Sequence, residues 1–142
     1  MNLSESGKVL IGKTGAEHVL IEIRQRHDDG WLSGTIEVKA GPWSGETRGS
    51  FYQGELRRFA ADIDKLYREL TGTADFTPME PYLELSFTGN GRGQIVVRGT
   101  AQDDSQTARL SFAFELDQTE LPGIAGSLRT ADPEPVEPMR AL

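Results

Sequence analysis

Gly7-Lys-Val-Leu-Ile-Gly12-Lys13-Thr14 matches, letter for letter, the loop that cradles phosphates in P-loop proteins. That chemistry needs a strand before the first glycine and a helix after the lysine, so that backbone amides and a helix N-terminus face the anion. Here only six residues precede Gly7, Val9 to Ile11 read as a strand themselves, and Glu17 to Arg26 alternate as β. Nucleotide binding is therefore not expected. Gly89-Asn-Gly-Arg-Gly93 has glycines spaced as in dinucleotide fingerprints, but it lies between two strand patterns with no helix to receive a pyrophosphate. It reads as a turn.

His18 and His27 stand nine residues apart on or beside one strand. Odd spacing puts them on opposite faces, so they are expected as separate surface or turn residues rather than a shared metal site. Asp28-Asp29 and Asp103-Asp104 are paired carboxylates. Such pairs can do acid–base work or hold a hard cation. Neither pair has a base, an oxyanion donor or a ligand loop beside it, and both sit in sequences suited to turns. The chain has no Gly-x-Ser-x-Gly elbow, no His-Glu-x-x-His and no cysteine nucleophile. No catalytic residue, cofactor or metal site is expected. Trp43 sits in Gly41-Pro42-Trp43-Ser44-Gly45. Beside that chain break it reads either as an interface anchor or as a cap on one end of the core.

These residues must be carried by a sheet. Lys8 to Gly12 is a short apolar strand. Val19, Ile21 and Ile23 alternate within Glu17 to His27, and Leu32, Gly34, Ile36, Val38 and Ala40 alternate within Trp31 to Ala40. Trp43 to Gln53 continues as a further strand. Leu56, Phe59, Ile63, Leu66, Tyr67 and Leu70 form one apolar stripe, which predicts a helix over 55–71 with Gly72 as its stop. Thr73 to Pro81 reads as a connection. Three more strands follow: Tyr82 to Thr88, Gln94 to Gln102, and Ala108 to Leu116. Leu121 to Leu128 predicts a short second helix, with Gln118 or Thr119 preferred as cap over Asp117, although Asp117 with Glu120 has capping-box spacing. The expectation is an α+β fold of about six to seven antiparallel strands with two helices on one face.

Gln53 to Ile63 can be laid on Gln118 to Leu128, and Gly34 to Lys39 on Gly93 to Arg98, which suggests a duplicated strand–strand–strand–helix unit. A single domain over 1–130 is expected, with a polar loose start over 1–7. Residues 131–142 hold three prolines and three acids and read as a disordered tail.

The full chain has 142 residues, no cysteine, a net charge of -7 and a pI near 4.8. No disulfide or thiolate metal site can form. The acidity argues against a nucleic-acid partner, since phosphate neutralisation needs a basic face. No apolar run approaches membrane-spanning length and no signal-peptide stretch is seen, so a cytoplasmic home is expected.

Trp43-Ser-Gly45, the helix Leu56 to Leu70, Gly91-Arg-Gly-Gln-Ile95 and Leu110-Ser-Phe-Ala-Phe-Glu-Leu-Asp-Gln-Thr-Glu-Leu121 together resemble the WapI-type immunity family over about Glu17 to Arg129. The resemblance implies a small cytoplasmic protein that binds and neutralises a cognate toxin domain. It carries over no binding residues. Exposed loop acids and one aromatic supply the candidates: Asp28, Asp29, Trp43, Glu46, Asp103 and Asp104. An acidic surface suits a basic toxin, because complementary charge steers association. Two rival readings are a carrier with a ligand pocket between sheet and helix, and a hydrolase of unfamiliar type with clustered carboxylates.

Overall fold

Alternating apolar residues build eight strands rather than six or seven. The computed structural model describes residues 7–135. The first sheet holds β1 (Lys8–Gly12), β2 (His18–Arg26), β3 (Trp31–Ala40) and β4 (Trp43–Tyr52), paired antiparallel in chain order. Helix α1 (Glu55–Glu69) leads to the second sheet, β5 (Thr71–Phe76), β6 (Leu83–Asn90), β7 (Gln94–Gln102) and β8 (Arg109–Asp117), also antiparallel in chain order. A 3-10 turn (Gln118–Glu120) then opens helix α2 (Leu121–Ala131). The α+β class holds.

β5 is the added strand. The two prolines placed Thr73 to Pro81 as a connection, but Pro78 and Pro81 lie beyond the strand. Ala74 and Phe76 alternate inward and supply the buried face that holds it. α1 ends at Glu69, two residues before the predicted end at Thr71. Leu70 takes the left-handed conformation and its amide bonds Leu66 O at 2.7 Å. The next sheet begins at once, and Gly89 of β6 must be glycine because a Cβ there would lie 2.4 Å from Leu70 O.

One continuous core joins both sheets and both helices. Phe59 of α1 packs against Phe76 and Phe87, with centroids 5.2 and 5.3 Å away, and Phe51 of β4 reaches Phe76 at 5.7 Å. Burying each such side chain stabilises the fold by about 1.5–3 kcal/mol. The helices pack on each other; α1 also covers edge strand β5 and α2 covers edge strand β1. Each helix thus leaves one sheet and shields the edge of the other.

The two halves share one order of elements, four strands then a helix. The buried positions of the helices match one for one: Leu56 with Leu121, Phe59 with Ile124, Ala60 with Ala125, Ile63 with Leu128, Leu66 with Ala131. The strand comparison is out of step. Tyr52 pairs with Trp31 and Asp117 with Gln94, so Gly93 corresponds to Gly30, not to Gly34. Both glycines have positive φ, and each accepts a 2.8 Å bond from the residue that precedes its helix by a turn: Gln53 N–H to Gly30 O, and Gln118 N–H to Gly93 O.

The helix starts are capped differently. Asp117 completes a capping box on the 3-10 turn, accepting from Thr119 N at 2.9 Å while Glu120 accepts from Asp117 N. The preference for Gln118 or Thr119 as cap fails because this extra turn shifts the cap one residue upstream. Tyr52 stands where Asp117 does in the other half and brings no carboxylate. Asp132 supplies it instead. Its carboxylate accepts from the amides of Gly54 (2.8 Å), Leu56 (3.1 Å) and Arg57 (3.2 Å), and it is only 1% exposed. Ala131 and Asp132 therefore belong to the packed domain, contrary to a tail that begins at 131. The remaining expected loose segments, 1–6 and 136–142, lie outside the described residues.

Candidate protein-binding groove

The core face of β4 runs unfinished at one end. Phe51 and Gly49 are buried, but Gly45 and Trp43 on the same face are open, and Trp43 is 68% exposed. Of the two readings of this tryptophan, the structure shows an exposed aromatic rather than a cap. A Cβ built on Gly45 meets nothing within 4 Å. Across from this stretch lie the end of β7 and the start of β8. Between them is an open groove of about 270 Å³ with Ile36, Val38, Ala101 and Leu110 on its walls and Trp43, Glu46, Asp103 and Arg109 around it.

The groove gathers Trp43, Glu46 and Asp103 of the six predicted contacts; Asp104 follows Asp103 in the same turn and lines a separate small hollow with Tyr82. Asp104 accepts from Arg48 Nε of β4 at 3.0 Å and from the Tyr82 hydroxyl. The bond to Asp104 holds the Tyr82 hydroxyl above its usual pKa. Asp103 spends its oxygens on its own turn, accepting from Thr107 N (2.9 Å), Ala108 N (3.0 Å) and the Ser105 hydroxyl (2.9 Å). The Ala108 amide first, then these other donors, hold it below the usual carboxylate range. Asp28 and Asp29 lie elsewhere. They occupy the turn at the opposite end of β3, roughly 30 Å along that ten-residue strand. There Asp29 lines a separate open hollow with Arg24, His27 and Trp31. The wall residues Ile36, Val38 and Leu110 were missed as site residues, as was Arg48, which holds Asp104. Strand alternation marked Ile36, Val38 and Leu110 only as core.

His18 is not a surface or turn residue. It is 5% exposed on β2, its Nδ1 2.9 Å from Ala16 O and its Nε2 2.8 Å from Glu37 Oε2. Both ring nitrogens face acceptors, which favours the imidazolium. Burial works against that charge, but the bonds to Glu37 and Ala16 outweigh it and the pKa is raised. His27 is exposed and meets Ser33 Oγ at 2.9 Å. Among the described residues no three His, Cys, Asp or Glu side chains converge as a metal site, and no helix is long and apolar enough to cross a membrane. The hollow between α1 and β5 measures about 70 Å³, far below the several hundred that a bound small molecule fills.

A sequence model described as the immunity protein WapI-like family matches residues 9–131. The chain belongs to this family. The WapI-like match spans both sheets and both helices, and it includes every predicted contact residue. No curated protein matches the chain. Among solved structures, the MRP1/MRP2 crystal structures from trypanosoma bruciei are 13% identical to this WapI-like chain, with a TM-score of 0.47 over 87% of it and 81% of the other.

Proposed function

We propose that the chain is a non-enzymatic binding protein that neutralises a cognate toxin domain by covering it, in the cytoplasm. The observation that carries this reading is the groove: an exposed tryptophan beside apolar walls, with acids at the margin. Aromatic anchors of this kind concentrate binding energy. A net charge of -7 supports a basic toxin partner, drawn in by complementary charge. The carrier reading draws no support from the 70 Å³ hollow between helix and sheet. We read the whole as one domain of two duplicated halves, on the shared element order and the matched buried positions.

The test is co-expression with the products of neighbouring genes in the source genome, scored for a toxin domain among them. The intact chain restores growth and forms a stable complex, and Trp43→Ala weakens both. Failure of the intact chain to bind or protect overturns the reading.

A further inference from the structure

Four strands form the sheet edges: β1, β4, β5 and β8. α2 covers β1 and α1 covers β5. Of the two others, β8 is finished on its inner face, where Phe112, Phe114 and Leu116 are buried in the core. β4 is not, because among the described residues no side chains pack over its inner positions Trp43, Gly45 and Thr47 deeply enough to bury them. The free backbone of this stretch can be located. Gln53 N–H bonds Gly30 O, while Tyr52 N–H turns away to Glu55 Oε1 at 2.6 Å. Bonded and non-bonded rungs alternate in an antiparallel pair. With no register shift between β3 and β4, the amides and carbonyls of Ser44 and Glu46 therefore point to the open edge.

The outer face adds a charge argument. Glu37 and Glu46 are direct cross-strand partners. Like charges so placed repel. His18 engages Glu37 from the β2 side; Glu46 forms no ion pair among the described residues, since Lys39, diagonally across on β3, turns to Gly41 O and Arg48 of β4 is held by Asp104.

We propose that the partner adds a short extended strand to the β4 edge over Trp43–Thr47, with alternating basic and apolar side chains. Its apolar residues enter the groove against Trp43, Val38 and Leu110. Its lysine or arginine residues lie on the outer face beside Glu46 and Glu37. Backbone bonds to Ser44 and Glu46 supply affinity and the alternation supplies selection, as in other strand additions. This rests on the groove as the binding face and specifies how it is used.

The probe is a capped seven-residue peptide alternating lysine and valine, added to the ¹⁵N-labelled chain. Amide exchange at Ser44 and Glu46 is expected to slow at least roughly tenfold at saturation, since each becomes a ladder donor. A glutamate–valine peptide binds at least roughly tenfold more weakly, and an N-methylated lysine–valine peptide gives no protection. Ser44→Pro, checked for an unchanged spectrum away from β4, loses the peptide while Ser44→Ala keeps it, because proline removes the edge donor. Should Ser44→Pro not fold, the exchange data alone decide. No binding at millimolar peptide, equal binding of all three peptides, or binding without protection of Ser44 and Glu46 overturns the proposal. The peptide result does not depend on any toxin: a toxin that binds through Trp43 while these two amides exchange freely refutes strand addition alone, and a chain that protects no cell from its toxin refutes the functional reading alone.

Discussion

Replacing Asp132 with alanine is expected to cost about 3 kcal/mol of folding stability. Its carboxylate takes up the amides of Gly54, Leu56 and Arg57 at the start of α1, and Arg57 Nη1 lies 3.6 Å from Oδ1. Loss of a helix cap costs about 1 kcal/mol. The Leu56 amide is buried with its cap, and a buried donor left unpaired costs about 1–3 kcal/mol more. Gly54 and Arg57 are partly open, so water replaces much of their loss. The assay is urea unfolding followed by tryptophan fluorescence. With a slope of about 1.5–2 kcal/mol/M, the midpoint should fall by about 1.5–2 M. Asp132→Asn keeps an acceptor without the charge and should fall by about half as much. A drop of less than about 0.3 M for Asp132→Ala would show that the carboxylate does not hold α1, and the capping argument would be wrong.

Other expectations can be checked alongside. The raised pKa of His18 makes its stabilisation complete below about pH 6.5 and lost as pH climbs through the raised folded value. The stability gap between the intact chain and Glu37→Gln should therefore narrow as pH rises above about 6.5, and parallel urea-midpoint curves would refute the pairing. Gly34→Ala should cost about 3 kcal/mol or prevent folding, since its Cβ would lie 1.7 Å from Glu22 O, whereas Gly45→Ala should change stability by under about 0.5 kcal/mol in the same melts. Trp43→Ala should leave stability within about 0.5 kcal/mol of the intact chain yet weaken toxin binding by about thirtyfold in calorimetry.

Period-two runs such as Leu32–Ile36–Val38 and Phe112–Phe114–Leu116 made most strands readable, because one buried face imposes its rhythm on the residues. They also showed why the P-loop letters are a strand: Val9 and Ile11 face the core. β5 escaped because only Ala74 and Phe76 point inward in a stretch with Gly72 and Asp75. His18 escaped because Glu37, the carboxylate that satisfies its Nε2, lies on another strand 19 residues away. Asp132 escaped for the same reason: its partners lie 75 to 78 residues away. Of the candidate contacts, exposed acids and an aromatic could be picked by type. Which of them meet depended on the sheets' arrangement, and it set Asp28 and Asp29 apart from the rest.

The reach of Asp132 back to α1 turns the linear chain into a loop without a covalent closure. Sheet one feeds α1, α1 flanks sheet two, α2 returns to β1, and the residue after α2 locks the start of α1. A nascent chain must therefore expose residue 132 to solvent before its first helix is fully seated, and until then four strands wait with one edge bare. Such distant contacts slow folding. Splitting the gene between the halves would yield two fragments that each lack the other's edge cover, so the pair should regain structure only when mixed.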